Sequence, residues 1–294
     1  NKTGIPVVTS LMGVDAIPHN HPAFLGMIGT YGNRYANLAI ANADFILALG
    51  TRLDSRQTGT RPETFARRAK IVYVDIEPQG LNKKIKVEFR IAQDIRDFLR
   101  QLNRKITHYY KERIKPWKKA VKQYRENYPS YRIPKDNNIE PNFFMYRLSD
   151  FLPKDVIICA DVGQNQMWAA QTLNIERSQR FLTAGGMGAM GSALPMAIGA
   201  SYAKPDRTVV VISGDGGFQL NIQELQTIYH HCLPIKIILL NNRCYGMVRQ
   251  FQEQYFNSRF QSTVIGYSCP DFQKVVSAYK IRAFRISRPQ QITQ

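Results

Sequence analysis

Residues 209–247 constrain the fold more than any other part of the sequence, because they read as a complete strand–helix–strand unit. The apolar, β-branched run 209–212 leads into Gly214-Asp215-Gly216, and a second apolar run ends at Asn241-Asn242. The helix predicted between the runs has three apolar side chains on one face: Leu220, Leu225 and Ile228. Since the crossover makes the strands parallel, both polar motifs should lie at the carboxyl edge of one sheet, with neighbouring strands about 4.8 Å apart.

The residue types at that edge indicate a diphosphate held by a hard divalent cation. Mg²⁺ prefers oxygen ligands and usually takes only one or two protein carboxylates. Asp215 would supply the charge and Asn242 a neutral amide oxygen, so both could bind one ion. Gly216 and Gly217 would leave backbone N–H groups open at a helix start, where the helix dipole favours an anion. The alternative is that Asp-Gly and Asn-Asn are ordinary turn residues after buried strands.

Four further segments extend the pattern: DVGQNQMW at 161–168, GGMGAMG at 185–191, QEL at 223–225 and GMVRQF at 246–251. Together with the two motifs, they resemble the thiamin diphosphate (ThDP)-dependent enzymes, in particular the large catalytic subunit of the acetohydroxyacid (acetolactate) synthases. The resemblance implies two doubly wound, Rossmann-like α/β domains with parallel sheets, one a middle domain of nucleotide-binding type and the other a ThDP diphosphate-binding domain.

The same resemblance implies an activity. ThDP and Mg²⁺ would serve to decarboxylate pyruvate and to join the two-carbon product to a second 2-oxo acid, in branched-chain amino acid or acetoin metabolism. The alternatives are another ThDP-dependent carboligase or 2-oxo acid decarboxylase, and a non-catalytic nucleotide-binding module.

Cofactor contacts follow from the resemblance residue by residue. Those for ThDP are Val162, Gly163, Gln164, Asn165, Gly186, Met187, Gly188, Met190, Gly214, Asp215, Gly216, Gly217, Asn242, Cys244, Tyr245, Gly246 and Met247. The Mg²⁺ ligands would be Asp215, Asn242 and the backbone carbonyl of Cys244. Met190 would support the cofactor from below, and Gly188 would accept a hydrogen bond from the cofactor's amino group.

The predicted catalytic set is Met190, Met247, Val248 and Phe251. Two positions depart from the family pattern. Asn165 replaces a histidine, and because Asn can donate a hydrogen bond but cannot carry a charge, we expect weaker diphosphate binding. Phe251 replaces a tryptophan that favours 2-ketobutyrate as second substrate in the family. Because the smaller ring offers less contact area and no N–H, the resemblance does not extend to this substrate preference.

Residues 1–103 are predicted to form the middle domain, with strands at 5–9, 45–49 (buried) and 71–75 and helices at 34–43 and 94–102. Strand ends there present residues suited to a nucleotide: Gly29, Gly32, Arg52, Asp54, Arg56, Asp75 and Ile76. Their order resembles the FAD-binding pattern of the family, which implies an extended, structural FAD. Plain loops, another nucleotide or no ligand are the alternatives. His19 and His21 are expected to pack within their loop and are assigned no metal.

The net charge of +18 raises nucleic acid as a partner, but the basic residues are scattered outside residues 104–132. We predict a basic linker at 104–140, whose apolar stripe packs on a domain: Ile114, Trp117, Val121 and Tyr124. Residues 141–294 would form the diphosphate-binding domain, with a helix at 141–151, strands at 155–160 and 282–286, and a helix at 192–202.

The remaining expectations concern cellular context. Four cysteines without paired spacing suggest reduced thiols and a cytoplasmic protein, and no apolar run is long enough for a membrane span. The family pattern implies a homodimer or homotetramer with its active site at the subunit interface and a possible regulatory subunit. The pyrimidine-binding domain of that family has no counterpart in the sequence, so the chain is expected to be incomplete for catalysis on its own.

Overall fold

The computed structural model describes residues 2–80, 85–106 and 110–293, and it divides into two compact units, residues 1–130 and 131–294. The strand pairings in both units are parallel, and helices separate the strands along the chain. This confirms the predicted α/β class. None of the described helices has the length and apolar composition needed to span a membrane.

The first unit contains two small sheets. Its strands are β1 (Val7–Thr9), β2 (Phe24–Met27), β3 (Phe45–Leu49), β4 (Lys70–Asp75) and β5 (Phe89–Ala92). Its helices are α1 (Arg34–Asn42), α2 (Ser55–Thr58), α3 (Ile95–Lys105), α4 (Tyr110–Arg113) and α5 (Lys115–Asn127). β1 pairs with β2, and the second sheet has the order β3-β4-β5. Strand β3 was predicted to be buried, but it is an edge strand and Phe45 is half exposed, so this detail was wrong.

The basic segment predicted as a linker divides between the two units, and its residues 107–109 lie outside the described residues. Helix α5 packs against α1, with Val121 buried among Leu25, Tyr35 and the alanines of α1. The apolar stripe of this segment therefore lies on the first unit, as its spacing predicted. Beyond α5, the Ser130 hydroxyl lies 2.6 Å from Asn33 Nδ2, which donates to it.

His19 and His21 both interact within their own loop. The ring of His19 stacks on Phe24, with ring centroids 4.0 Å apart, and its Nε2 lies 2.8 Å from the carbonyl oxygen of Val14. His21 Nδ1 accepts a hydrogen bond from the Ala23 N–H at 3.1 Å. Their contacts are those of packed loop residues.

The second unit is built on one four-stranded sheet. Its strands are β6 (Ile157–Ala160), β7 (Arg180–Thr183), β8 (Val209–Gly214) and β9 (Ile235–Leu240), in the order β7-β6-β8-β9. Its helices are α6 (Pro141–Leu148), α7 (Gln164–Thr172), α8 (Ala193–Ala203), α9 (Asp215–Leu220), α10 (Glu224–His230), α11 (Gly246–Tyr255) and α12 (Phe272–Ala278). The central strands β6 and β8 are almost wholly buried, because helices pack on the sheet.

Two details of this unit differ from the sequence prediction. The helix after β8 is interrupted between α9 and α10, and Leu220 is exposed whereas Leu225 and Ile228 are buried. The strand predicted at 282–286 is absent from the described part of the chain: this segment forms no sheet pairing, and Phe284 is 81% exposed. Apolar residues alone do not make a strand, which also needs a neighbouring strand edge to pair with.

Candidate active site

The strand order places a crevice between β6 and β8. From β6, the chain continues to β7 on one side and then returns to β8 on the other, so the connections diverge at this point. In open parallel sheets, ligands bind outside the carboxyl ends of the strands at such a switch point. The segments that leave β6, β8 and β9 here are those in which the sequence predicted cofactor contacts.

Asp215, the first residue of α9, is buried although it is ionisable, with 1% of its surface exposed. Its Oδ2 accepts a hydrogen bond of 2.8 Å from the hydroxyl of Tyr267. Burial raises the pKa of the Asp215 carboxyl, while hydrogen bonds from Tyr267 and from the backbone of Arg243 and Gly216 oppose this shift. A buried carboxylate with only neutral hydrogen-bond donors is the electrostatic environment that a bound cation would stabilise.

Asn242 lies at the end of the neighbouring strand, as predicted. In the register of β8 and β9, Gly214 is opposite Leu240, so the residues that follow each strand are neighbours. The Asn242 Nδ2 donates to Gln164 Oε1 at 2.9 Å, and its Oδ1 accepts from the Cys244 N–H at 3.2 Å. The first residue of α7 therefore orients the amide whose oxygen is the predicted metal ligand.

At three glycines of this edge, neighbouring side chains occupy the place where a Cβ atom would be. A Cβ atom on Gly217 would lie 1.9 Å from Asp161 Oδ2, and one on Gly216 would lie 2.3 Å from the ring of Tyr245. At Gly246 a Cβ atom would meet Gln164 Oε1 at 1.8 Å. The glycines thus bring α7, α9 and the start of α11 together around one centre.

Asn165, a predicted cofactor contact, faces the sheet in this structure. Its side chain is buried, and its amide Nδ2 donates to the carbonyl oxygens of Asp161 at 2.7 Å and Ile212 at 3.2 Å. Because its amide group donates to the ends of β6 and β8, Asn165 connects α7 to the sheet, and its contact with a diphosphate stays a prediction. Gly163 and Gly214 lie against its Oδ1, where a Cβ atom would be 2.6 Å and 3.2 Å away, respectively.

The glycine-rich loop 185–191 follows β7 at the same edge of the sheet. Gly188 has a φ of +77°, and Cβ atoms on Gly186 and Gly188 would meet no atom within 4 Å. Met187 is 92% exposed, and Met190 is half-buried. The loop therefore presents open backbone surface and two thioethers, one exposed and one half-buried, in the segment where the resemblance expects the ring system of a cofactor.

Helix α11 carries the remaining residues of the predicted catalytic set. Met247 is half-buried, whereas Val248 and Phe251 are exposed. Phe251 packs on Tyr255 and Phe256, with ring centroids 4.6 and 5.9 Å away. Their roles in catalysis remain predictions. Val162 and Gly163 lie half-buried in the turn between β6 and α7, and Tyr245 immediately precedes α11.

Two residues of this site were missed by the sequence analysis. Asp161 is fully buried and accepts hydrogen bonds from Gly191 N, Ser192 Oγ and Ser213 Oγ. Tyr267 reaches Asp215 from a loop 52 residues further along the chain, and its pKa is raised by burial and by the Asp215 carboxylate. A carboxylate that follows a buried strand could have indicated the first, but no sequence signal indicates the second.

The donor set at this edge fits a hard cation. Within residues 2–80, 85–106 and 110–293, no three His, Cys, Asp or Glu side chains converge as a metal site. A cation here would depend on one carboxylate, one amide oxygen and one carbonyl oxygen, from Asp215, Asn242 and Cys244. One or two protein carboxylates together with neutral oxygens and phosphate oxygens are typical of Mg²⁺.

In the first unit, the residues predicted to bind a nucleotide are only partly brought together. A cavity of about 450 Å³ is lined by Arg52, Asp54, Ser55, Gly59, Thr60, Pro62 and Gly80. Gly29 and Gly32 lie in a loop that packs on the backbone of Arg56, where the Thr30 N–H donates to the Arg56 carbonyl at 2.8 Å.

The acidic residues of this first-unit set have local partners. Asp54 caps α2 by accepting from the Arg56 N–H. The Asp75 carboxylate accepts from the Glu77 N–H and from the Tyr73 hydroxyl, and burial together with Asp75 raises the pKa of Tyr73 to about 12. Ile76 is exposed. Among the predicted residues, Arg52 and Asp54 line the cavity, and the others do not.

Comparison with protein families gives two matches. The central domain of thiamine pyrophosphate enzymes matches residues 1–102, and their C-terminal TPP binding domain matches residues 161–294. Thiamine pyrophosphate (TPP) is another name for ThDP. The second match begins at Asp161 and includes the residues described above at the β6, β8 and β9 strand ends.

Curated proteins similar to this chain are acetolactate synthase large subunits. That of Pyropia yezoensis is 39% identical over 289 residues, which is 97% of this chain and 48% of the relative. The isozyme 2 large subunit of Escherichia coli strain K12 is 38% identical over 291 residues, which is 99% of this chain and 52% of the relative. That of Lactococcus lactis is 36% identical over 291 residues, covering 98% of this chain and 49% of the relative. The chain spans about half the length of the curated relatives it matches.

Proposed function

The chain belongs to the thiamine pyrophosphate enzymes, and we propose that the full-length protein is an acetolactate synthase. It would decarboxylate pyruvate and join the resulting two-carbon unit to a second 2-oxo acid. The observation that carries the proposal is the pairing of a buried carboxylate, Asp215, with the oriented amide of Asn242 at the adjacent ends of β8 and β9, beside the switch point.

We assign Mg²⁺ and the cofactor diphosphate to this edge. Asp215, Asn242 and the Cys244 carbonyl would hold the cation. The backbone N–H groups of Gly216 and Gly217, at the start of α9, would donate hydrogen bonds to the phosphates. ThDP, when bound, supplies an electron sink that stabilises the carbanion left by decarboxylation. The protein's part is to hold the cofactor, to balance the diphosphate charge and to exclude water.

The loop 185–191 and helix α11 would complete the site around the reacting carbon. Met190 is the candidate support for the cofactor rings, and Met247 and Val248 are the candidate floor of the substrate pocket. Val162 and Gln164 would lie beside the diphosphate, and Gln164 also accepts a hydrogen bond from Asn242. The relatives are named large subunits, and on that basis we propose a homo-oligomer that can associate with a regulatory subunit.

Product analysis tests this proposal. The full-length protein, supplied with ThDP, Mg²⁺ and pyruvate, should form acetolactate, and adding 2-ketobutyrate should yield 2-aceto-2-hydroxybutyrate as well. Release of acetaldehyde without either ligation product would indicate a 2-oxo acid decarboxylase. Absence of pyruvate consumption, with ThDP bound, would contradict the activity proposed here.

We also propose FAD as a structural cofactor of the first unit, supported by the cavity at Arg52 and Asp54 and by the glycine loop beside Arg56. Full-length protein purified without added flavin should be yellow, and denaturation should release FAD. An absorbance spectrum without flavin bands, even after incubation with FAD, would contradict this assignment. The variant Arg52→Ala should lower the fraction of protein that binds FAD, because it removes a cationic partner of the FAD pyrophosphate.

Phe251→Trp should change the choice of second substrate if this side chain lines the acceptor pocket. A larger ring adds contact area for the ethyl group of 2-ketobutyrate, and recognition of one methylene is worth about 1–3 kcal/mol. We therefore expect the ratio of 2-aceto-2-hydroxybutyrate to acetolactate to rise about 10-fold in competition assays at equal substrate concentrations. Tyr202→Trp, in the last turn of α8 and 57% exposed compared with 54% for Phe251, is the control. An unchanged ratio in an active Phe251→Trp enzyme would place Phe251 outside the pocket.

A further inference from the structure

The carboxylate of Asp161 connects three segments of the second unit. Its Oδ2 accepts from the Gly191 N–H and from the Ser213 hydroxyl, both at 3.1 Å, and its Oδ1 accepts from the Ser192 hydroxyl at 3.4 Å. The residue is fully buried, and its three donors are neutral. The glycine at position 217 leaves room for the same carboxylate, because a Cβ atom there would overlap Oδ2.

Gly191 is held from both sides. Asp161 binds its N–H, and Asn221 Nδ2 donates to its carbonyl oxygen at 2.8 Å. Gly191 has a φ of +82°, and a Cβ atom would lie 2.8 Å from Leu220 Cβ, so the backbone at this point is fixed by the residues on either side of it. Asn221 directly follows α9, the helix that starts at Asp215.

The loop 185–191 begins away from the metal end of the site, and only its last residue, Gly191, packs on α9. The loop leaves β7, whereas the candidate cation ligands follow β8 and β9. Two strand spacings of about 4.8 Å separate β7 from β8, so the start of the loop is roughly 10 Å from the end of β8 along the sheet edge. An extended ligand whose diphosphate lies at α9 would therefore place its ring end at this loop.

We infer that Asp161 and Asn221 are positioning residues for the ring end of the cofactor: by holding the two polar groups of Gly191, they set the distance between loop 185–191 and helix α9. This inference rests on the proposed binding of ThDP at this edge. Neither side chain needs to touch the cofactor. The contribution of each is to keep the loop in the place where its open glycine backbone and Met190 can contact the rings.

The role depends on hydrogen-bond geometry and not on charge. Asn at position 161 can keep all three contacts, because its oxygen accepts from Gly191 N and Ser213 Oγ while its NH₂ group donates to the Ser192 hydroxyl, which can also accept. Ala at this position leaves the Gly191 N–H without its acceptor. Asp161→Asn should therefore rescue what Asp161→Ala loses.

Calorimetric titration of the full-length protein tests this with two ligands. ThDP with Mg²⁺ reports on the whole site, and inorganic pyrophosphate with Mg²⁺ reports on the diphosphate end alone. We expect Asp161→Ala to weaken ThDP binding about 10-fold or more, because an unsatisfied buried donor is costly, while pyrophosphate affinity changes less than about 3-fold. Asp161→Asn should stay within about 3-fold for both ligands. The control is Asp206→Ala, which removes an exposed carboxylate before β8, at the opposite edge of the sheet.

If Asp161→Ala does not fold, the variant Asn221→Ala provides a second test of the inference. It should weaken ThDP about 5-fold with pyrophosphate affinity unchanged, since it frees only the carbonyl of Gly191. Unchanged ThDP affinity in either folded variant, or an equal loss for both ligands, would overturn the inference while the proposed function stands. A wild-type protein that binds no ThDP with Mg²⁺ would overturn both.

Discussion

Asp215→Ala should reduce the Mg²⁺-dependent affinity for ThDP by at least about 100-fold. The substitution removes the single charged ligand proposed for the cation, and breaking one partner of a buried charge pair typically costs about 3–5 kcal/mol. Asp215→Asn should give an intermediate loss, because it keeps an oxygen ligand and an acceptor for the Tyr267 hydroxyl but not the charge. Titration of ThDP at saturating Mg²⁺ measures both.

Two comparisons separate this effect from damage to the fold. Asn242→Ala should weaken ThDP binding by only about 10-fold, since it removes a neutral ligand. The ligand-free Asp215→Asn protein should unfold at a temperature no lower than the wild type, because burial already disfavours the charged form of this carboxyl. Unchanged ThDP affinity in Asp215→Ala would remove Asp215 from the metal site.

Gly217→Ala should destabilise the second unit by about 2–3 kcal/mol, or roughly 5–10 °C in Tm. The added Cβ atom would lie 1.9 Å from Asp161 Oδ2, and this carboxylate cannot withdraw without losing Gly191 and Ser213. The result would be unusual for a helical position, since Ala is otherwise favoured over Gly in helices by about 1 kcal/mol. Thermal unfolding of the full-length protein, followed by near-ultraviolet circular dichroism, measures the shift.

Gly186→Ala is the matched control for this prediction. Gly186 belongs to the same site and does not have a positive φ, and a Cβ atom there would meet no atom within 4 Å. Its Tm should remain close to that of the wild type. Equal Tm values for Gly217→Ala and Gly186→Ala would mean that the Asp161 carboxylate does not restrict the size of the side chain at position 217.

The strands of the second unit and the motifs at their ends could be predicted because each is encoded in a short, continuous stretch of the sequence. Buried parallel strands are continuous apolar runs, and the motifs that follow them mark their carboxyl ends, so β8, β9 and the neighbouring positions of Asp215 and Asn242 could be placed in advance. The resemblance then identified the family, which the comparisons confirmed.

The contacts that complete the site could not be predicted in this way, because they depend on side chains distant in the sequence. Tyr267 reaches Asp215 through a loop without a recognisable motif, and Asn165 turns into the sheet because two strand-end carbonyls lie within its reach. The segment 282–286 shows the opposite error. Its apolar residues Ala283, Phe284 and Ile286 are compatible with a strand, but a strand also requires a partner edge, and no such pairing forms there.

The most direct test of the metal site is a titration of wild-type, full-length protein with ThDP, once with Mg²⁺ and once with EDTA in its place. If Asp215 and Asn242 hold a cation against the cofactor diphosphate, binding should be observed with Mg²⁺ and should weaken by at least about 100-fold in EDTA, because the buried carboxylate would then repel the phosphates. Equal affinity under the two conditions would contradict a cation-bridged diphosphate at this edge of the sheet.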